Sequence, residues 1–248
     1  MTNEYDKLLK EWPYEPGVVQ AREVTGSDGE PRIQIRVDLG ILQMEFTGRP
    51  DGLRPMGSES LLDHFERLAA RADQEGNSEA FRLTPEDCVR LQQEGVQYYH
   101  RYLACFQLQH FTEVARDTAR NLRLFDFVEN RAIKGEMGMM FQQFRPYVLM
   151  MNTRARAMLA LLKEDFAEVI RIIEGGIQEI RGFMEERLPP EALEHCNEID
   201  FLQKWLDEVK RERPRTPREK LQRQLSEAVE SEDYEKAARL RDALKELE

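Results

Sequence analysis

Three cysteines and four histidines are the side chains best suited to metal or nucleophilic chemistry, and their spacing supports neither. Cys88, Cys105 and Cys196 lie far apart, and none belongs to a C-x-x-C pair. His64, His100, His110 and His195 show no ligand spacing. His195 and Cys196 are adjacent, and neighbours in a helix point about 100° apart. No G-x-S-x-G, H-E-x-x-H or Gly-Lys phosphate-loop sequence occurs. The loop Gly48-Arg49-Pro50-Asp51-Gly52 could hold a ligand, or Arg49 and Asp51 could form an ordinary salt-bridged turn. The expectation is a protein that is not an enzyme: no catalytic, cofactor-binding or metal residue, no cofactor, and reduced, inert thiols.

A second chemistry is electrostatic. Lys210-Arg211-Glu212-Arg213-Pro214-Arg215-Thr216-Pro217-Arg218 opens the densest basic run, which continues to Arg223. Lys210, Arg211, Arg213, Arg215 and Arg218 could contact phosphates, making the chain a nucleic-acid-associated protein through Lys210–Arg223. Equally, the run could be a solvated linker stiffened by proline, and no aromatic residue interleaves to stack on bases. The whole chain opposes phosphate: 36 Lys and Arg against 47 Asp and Glu leave a formal charge of −11 over 248 residues.

These side chains must be positioned by elements legible as periodicity. Residues 1–57 alternate: Ile33, Ile35 and Val37 against Gln34, Arg36 and Asp38, then, after Gly40, the run Gln43 to Thr47. This predicts a small antiparallel β meander of two or three strands that rests on helices, since such a sheet is rarely stable alone. From Ser58 the period is helical. Leu61, Leu62, Phe65 and Leu68 form one stripe. Thr84-Pro85-Glu86-Asp87 signals a helix start, followed by a stripe through Val96, Tyr99, Leu103 and Phe106. Pro146 and Pro189-Pro190 punctuate later helices, and Ala192 to Val209 predicts another that carries Trp205. The fold class is mainly α with a small N-terminal β meander (α+β). The expected domains are 1–57 (meander), 58–209 (helical body) and 210–248 (basic linker plus helical hairpin). No stretch approaches the roughly 20 apolar residues of a membrane span. With no basic-then-apolar leader at residues 1–6, the expectation is cytoplasmic, without membrane partners.

Six methionines fall between Met137 and Met158 (Met137, Met139, Met140, Met150, Met151, Met158). They could fill a core or line a groove, and Tyr98, Tyr99, Tyr102 and Phe106 carry the same two readings. Phe111-Thr112-Glu113-Val114-Ala115-Arg116 echoes Phe166-Ala167-Glu168-Val169-Ile170-Arg171 at an offset of 55 (166 − 111). Tyr234-Glu235-Lys236-Ala237-Ala238-Arg239 echoes it again at 68 (234 − 166). The pattern is a helical hairpin whose second helix opens on an aromatic. This loosely resembles tetratricopeptide hairpins, though not their 34-residue spacing.

Thr216-Pro217-Arg218-Glu219 is a capping box with proline in the first turn. Leu221, Leu225, Ala228 and Val229 then mark one helix. After Ser231-Glu232-Asp233 come Tyr234, Ala237, Ala238, Leu240, Leu244 and Leu247 on the broad apolar side of a second. The core Glu232-Asp233-Tyr234-Glu235-Lys236-Ala237-Ala238-Arg239-Leu240-Arg241-Asp242 resembles the UVR motif of the UvrB and UvrC excision-repair proteins, Clp-type unfoldases and bacterial arginine-kinase activators. The resemblance covers residues 214–248. It implies a bacterial protein–protein docking hairpin, with Tyr234, Ala237, Ala238, Arg241, Asp242 and Leu244 at the interface. It also suggests a partner from excision repair or Clp-type proteolysis. The apolar stripe adds Leu225 and Leu240. Two short helices cannot hide so wide a face from water, so a protein must cover it: this chain, a second copy, or a UVR-type partner. Arg241 could clamp a partner carboxylate or pair with Asp242 or Asp233.

Overall fold

The computed structural model describes residues 4–77, 79, 81–133, 135–187, 191, 195–214, 217–231 and 233–245. Among them are ten helices and one three-stranded sheet, in two compact units, residues 1–206 and 207–248. Pro189-Pro190, Ala192, Arg215, the Thr216 cap, Glu232 and Leu247 lie outside the described residues, as do the side chains of Arg218, Glu219, Lys220 and Arg223.

In the first unit, α1 (Glu4–Glu11) leads to the sheet of β1 (Gln20–Thr25), β2 (Pro31–Val37) and β3 (Gly40–Glu45). The order is β1-β2-β3 and both pairings are antiparallel, with Ile33 opposite Glu23 and Met44. Gly40 does not interrupt the alternation as its sequence position suggests. It opens β3 directly after a tight turn at Asp38 and Leu39. β2 is buried on both faces: Ile33, Gln34, Ile35 and Arg36 are all buried. Ile33 and Ile35 share one face, and the helix Pro85–Gln107 packs beside the sheet. On the other face Gln34 bonds Arg22 and Gln43, both at 2.8 Å. Arg36 Nε reaches the Trp12 carbonyl at 2.8 Å, and Arg22 stacks 4.3 Å from the Trp12 ring. Gln34 and Arg36, from the polar half of the alternation, are thus buried with hydrogen bonds supplied, while Asp38 is exposed.

The body consists of α2 (Leu61–Gln74), α3 (Pro85–Gln107), α4 (Phe111–Arg131), α5 (Gly135–Gln142), α6 (Arg145–Leu161) and α7 (Phe166–Arg187). Thr84 and Asp87 form the reciprocal capping box that starts α3. α3 packs on α4, α4 on α6, and α6 on α7. Leu61, Leu62, Phe65, Leu91, Leu124, Phe125, Val128 and Val148 form a common core. The stripe that faces inward on α3 is Leu91, Tyr98, Tyr102 and Cys105, whereas Val96 and Tyr99 from the expected stripe are exposed. On α2, Ala69 and Ala72 extend the buried face, while Leu68 is exposed. α8 (Asn197–Glu212) begins after the expected Ala192 and buries Ile199, Leu202, Leu206 and Val209, leaving Trp205 half-buried.

The sequence echo is a repeated helix corner. α4, α7 and α10 (Tyr234–Lys245) each open on the echoed aromatic. In each, the amide just before it bonds the carbonyl five positions back: His110 to Cys105 (2.8 Å), Asp165 to Ala160 (3.1 Å) and Asp233 to Ala228 (2.8 Å). That bond is the signature of a helix ending through a left-handed residue. Gln109 (φ 63°) and Glu164 (φ 57°) occupy that conformation, 55 residues apart like the aromatics they precede.

Three glycines of α7 separate close packing from mere propensity. A methyl group on Gly176 would fall on the Thr153 side chain of α6, within 2.9 Å of its Cβ, whereas Gly175 and Gly182 face open space. Gly176→Ala is therefore expected to cost about 1–3 kcal/mol by overpacking. Gly175→Ala and Gly182→Ala should each gain about 0.5–1 kcal/mol from helix propensity. Urea unfolding of the three variants checks the opposite signs.

Candidate functional site

The Gly48–Gly52 loop is fastened to α3 and α4 by a buried ionic network. Arg101 (1 % exposed) grips Asp117 through two bonds of 2.7 and 2.9 Å. Its third nitrogen donates to the carbonyls of Glu45 (3.1 Å) and Gly48 (2.8 Å). Glu94, fully buried, accepts from the amides of Leu61 (2.7 Å) and Leu62 (3.2 Å), so it caps α2 where helical N–H groups lack partners. The same carboxylate meets Arg49 at 3.3 Å and Arg120. Arg49 pairs with Asp51 at 3.2 Å, and Asp51 accepts from Gln97 at 3.0 Å. The loop's charged groups are therefore engaged in holding the sheet to the helices. Spacing could not announce this network, because its members come from residues 45 to 120.

A cavity of about 460 Å³ lies elsewhere, between α3, α4, α5 and α6. Tyr99, Tyr102, Leu124, Phe141, Phe144 and Tyr147 are among its walls, and no residue of the 48–52 loop lines it. The methionine cluster divides accordingly. Met150 and Met151 are core, while Met139 and Met140 are exposed and Met140 lines the cavity. The tyrosine group divides too: Tyr98 and Tyr102 are buried, and Tyr99 stands at the mouth.

The three thiols are buried. Burial holds Cys88 up at about 11 and Cys105 at about 12, and Cys196 is raised by the same cause. Because the thiolate is the reactive form, Cys88 and Cys105 should react at pH 8 at least about a hundredfold more slowly than a free thiol. A raised thiol pKa also adds stability below the unfolded value, and that contribution is lost as pH rises through the folded one. Timed alkylation with and without denaturant checks the first statement. Among the described residues, no group of three His, Cys, Asp or Glu side chains could hold a metal ion. No helix among them is long and apolar enough to cross a membrane.

In the second unit, α9 (Pro217–Glu230) and α10 pack together as a hairpin. Ser231 Oγ donates to the Glu227 carbonyl at 2.8 Å, and Asp233 Oδ1 accepts from the Lys236 amide at 3.1 Å, which closes the turn and caps α10. Ala228 and Ala237 are buried, small residues that permit close approach of the two helices. Leu225, Ala238, Leu240 and Leu244 are half-buried. Tyr234 is 68 % exposed and Val229 51 %. Arg241 and Asp242 are exposed and paired with each other at 3.0 Å, the surface pairing the sequence allowed. Of the expected docking residues, Ala237 therefore lies inside the hairpin, whereas Tyr234 stands mostly exposed.

The basic run is interrupted by acids. Lys210 and Arg211 are exposed on α8 beside Asp207, Glu208 and Glu212, and Arg211 Nε donates to the Asp207 carbonyl of its own helix at 3.3 Å. Arg213 is half-buried. Phosphate binding would require these side chains to outweigh their own acidic neighbours.

No curated protein and no solved structure matches the chain. Residues 217–248 match the family model described as the UvrB/uvrC motif, the segment that contains the α9–α10 hairpin. The chain thus carries a UVR motif, joined to a mainly α unit with a small antiparallel sheet.

Proposed function

We propose that the protein is a non-enzymatic bacterial adaptor of the cytoplasm that docks a protein partner through its UVR hairpin. The observation that carries this reading is the exposure of Tyr234 and Val229 on a hairpin whose helices meet through Ala228 and Ala237. A large aromatic left in water at 68 % exposure forgoes much of the roughly 1.5–3 kcal/mol that burial supplies, and a partner helix recovers it. Tyrosine is enriched among the residues that dominate interfaces, because its ring brings area with little rotamer entropy. Leu225, Ala238, Leu240 and Leu244 would flank it, and the Arg241–Asp242 pair would form the polar rim.

The partner is a protein with a complementary apolar helical face: a second UVR-type hairpin, from excision repair or Clp-type proteolysis, or a second copy of this chain. The mechanism is helix-on-helix recognition and involves no bond making. Sedimentation of the full chain, alone and with a purified UVR hairpin, tests it. Complex formation in the micromolar range is expected. A chain that stays monomeric and binds no such hairpin at these concentrations would overturn the reading.

A further inference from the structure

The cavity between α3 and α6 plays no part in docking through the hairpin, yet it has the form of a binding site. Its volume of about 460 Å³ falls in the range of roughly 300–1,000 Å³ typical of small-molecule pockets. Leu124, Phe125, Phe141 and Val148 supply apolar wall, and Val96 and Phe144 stand exposed at the opening.

The informative group is Tyr102. Only 1 % of it is exposed, it lines the cavity, and no described residue hydrogen-bonds its hydroxyl. A hydroxyl on a cavity-lining residue with no protein acceptor is free to donate to whatever fills the space. Tyr99 packs edge-on against it with ring centres 5.5 Å apart, and Tyr147 lies 6.4 Å from Tyr99, so three phenols gather in one wall. Burial raises the pKa of Tyr102 and Tyr147, and the neighbouring phenols oppose ionisation further, which keeps both as neutral O–H donors. The amide of Asn121, the other deep polar group, is already engaged with Gly95 (3.0 Å) and Arg120 (3.1 Å).

We propose that this cavity binds a neutral, predominantly apolar small molecule that presents one hydrogen-bond acceptor to the hydroxyl of Tyr102. No charged side chain lines the space, so an ionised ligand would lie buried without a counter-charge. An amphipathic helix laid along α3 would cover Val89, Val96 and Tyr99. It would not account for a donor placed behind them at 1 % exposure.

Nile red, an uncharged dye with a carbonyl acceptor, serves as the probe on the full chain. The expected result is saturable, blue-shifted fluorescence at one site per chain. Tyr102→Phe keeps the ring and removes only the donor, and should weaken binding about tenfold. Val96→Trp, at an exposed position, should block the mouth and abolish the signal while the melting temperature holds. Three results would overturn the proposal: no saturable binding, equal binding in both variants, or a chain dimer that Val96→Trp dissociates. The last would assign the surface to a second copy.

Discussion

Asp117→Ala is expected to destabilise the 1–206 unit by about 3–5 kcal/mol, because it strands the Arg101 guanidinium in the interior without its counter-charge. For a unit of this size that corresponds to a melting temperature lower by roughly 10 °C. The loss should exceed that of a single surface pair, for which about 0–1 kcal/mol is usual. Arg101 also holds the carbonyls of Glu45 and Gly48, so the sheet and its following loop should loosen together. The double variant Arg101→Met/Asp117→Ala removes both charges and should recover a substantial part of the loss. Thermal unfolding by circular dichroism reads both. A single variant within 1 kcal/mol of the parent would mean that the network does not fasten the sheet.

The second large effect falls on binding, with little effect on stability. Tyr234→Ala is expected to weaken the hairpin's complex by about thirtyfold, the scale of an aromatic hot spot of roughly 2 kcal/mol. The side chain is mostly in water, so folding stability should change by less than about 0.5 kcal/mol. Arg241→Ala, whose guanidinium pairs with Asp242 on the same surface, should cost binding only about twofold to fivefold. Calorimetric titration against the partner hairpin gives both values. Equal losses in the two variants would point to a charge-driven interface instead of an apolar one.

What could be read in advance follows from the range of each signal. Local signals were legible: the helix start at Thr84, the period of two around Ile33 and Ile35, and the corner before Phe111, Phe166 and Tyr234 depend on residues a few positions apart. The hairpin was legible for the same reason, since Ala237 and Ala238 follow Tyr234 within one helical turn. Long-range closure was not. Glu94 looks like one more acid on a helix until its carboxylate is found capping α2 from more than thirty residues away. Arg36 alternates like a solvent-face residue, yet the Trp12 carbonyl and the Tyr14 ring cover it. Val96 and Tyr99 fit an apolar stripe by spacing, yet they stand exposed at a cavity mouth instead of in the core. Helical spacing assigns residues to a face, and which face meets another helix is decided by the rest of the chain.

A photo-reactive phenylalanine analogue placed at position 234 of the full chain, irradiated in the source cells, addresses recruitment at the residue on which it rests. The expected product is a cross-link from position 234 into a helix of another polypeptide, either a UVR-type partner or a second copy. Cross-links confined to residues 1–206 of the same molecule would contradict the account, because the hairpin would then be a piece of internal architecture.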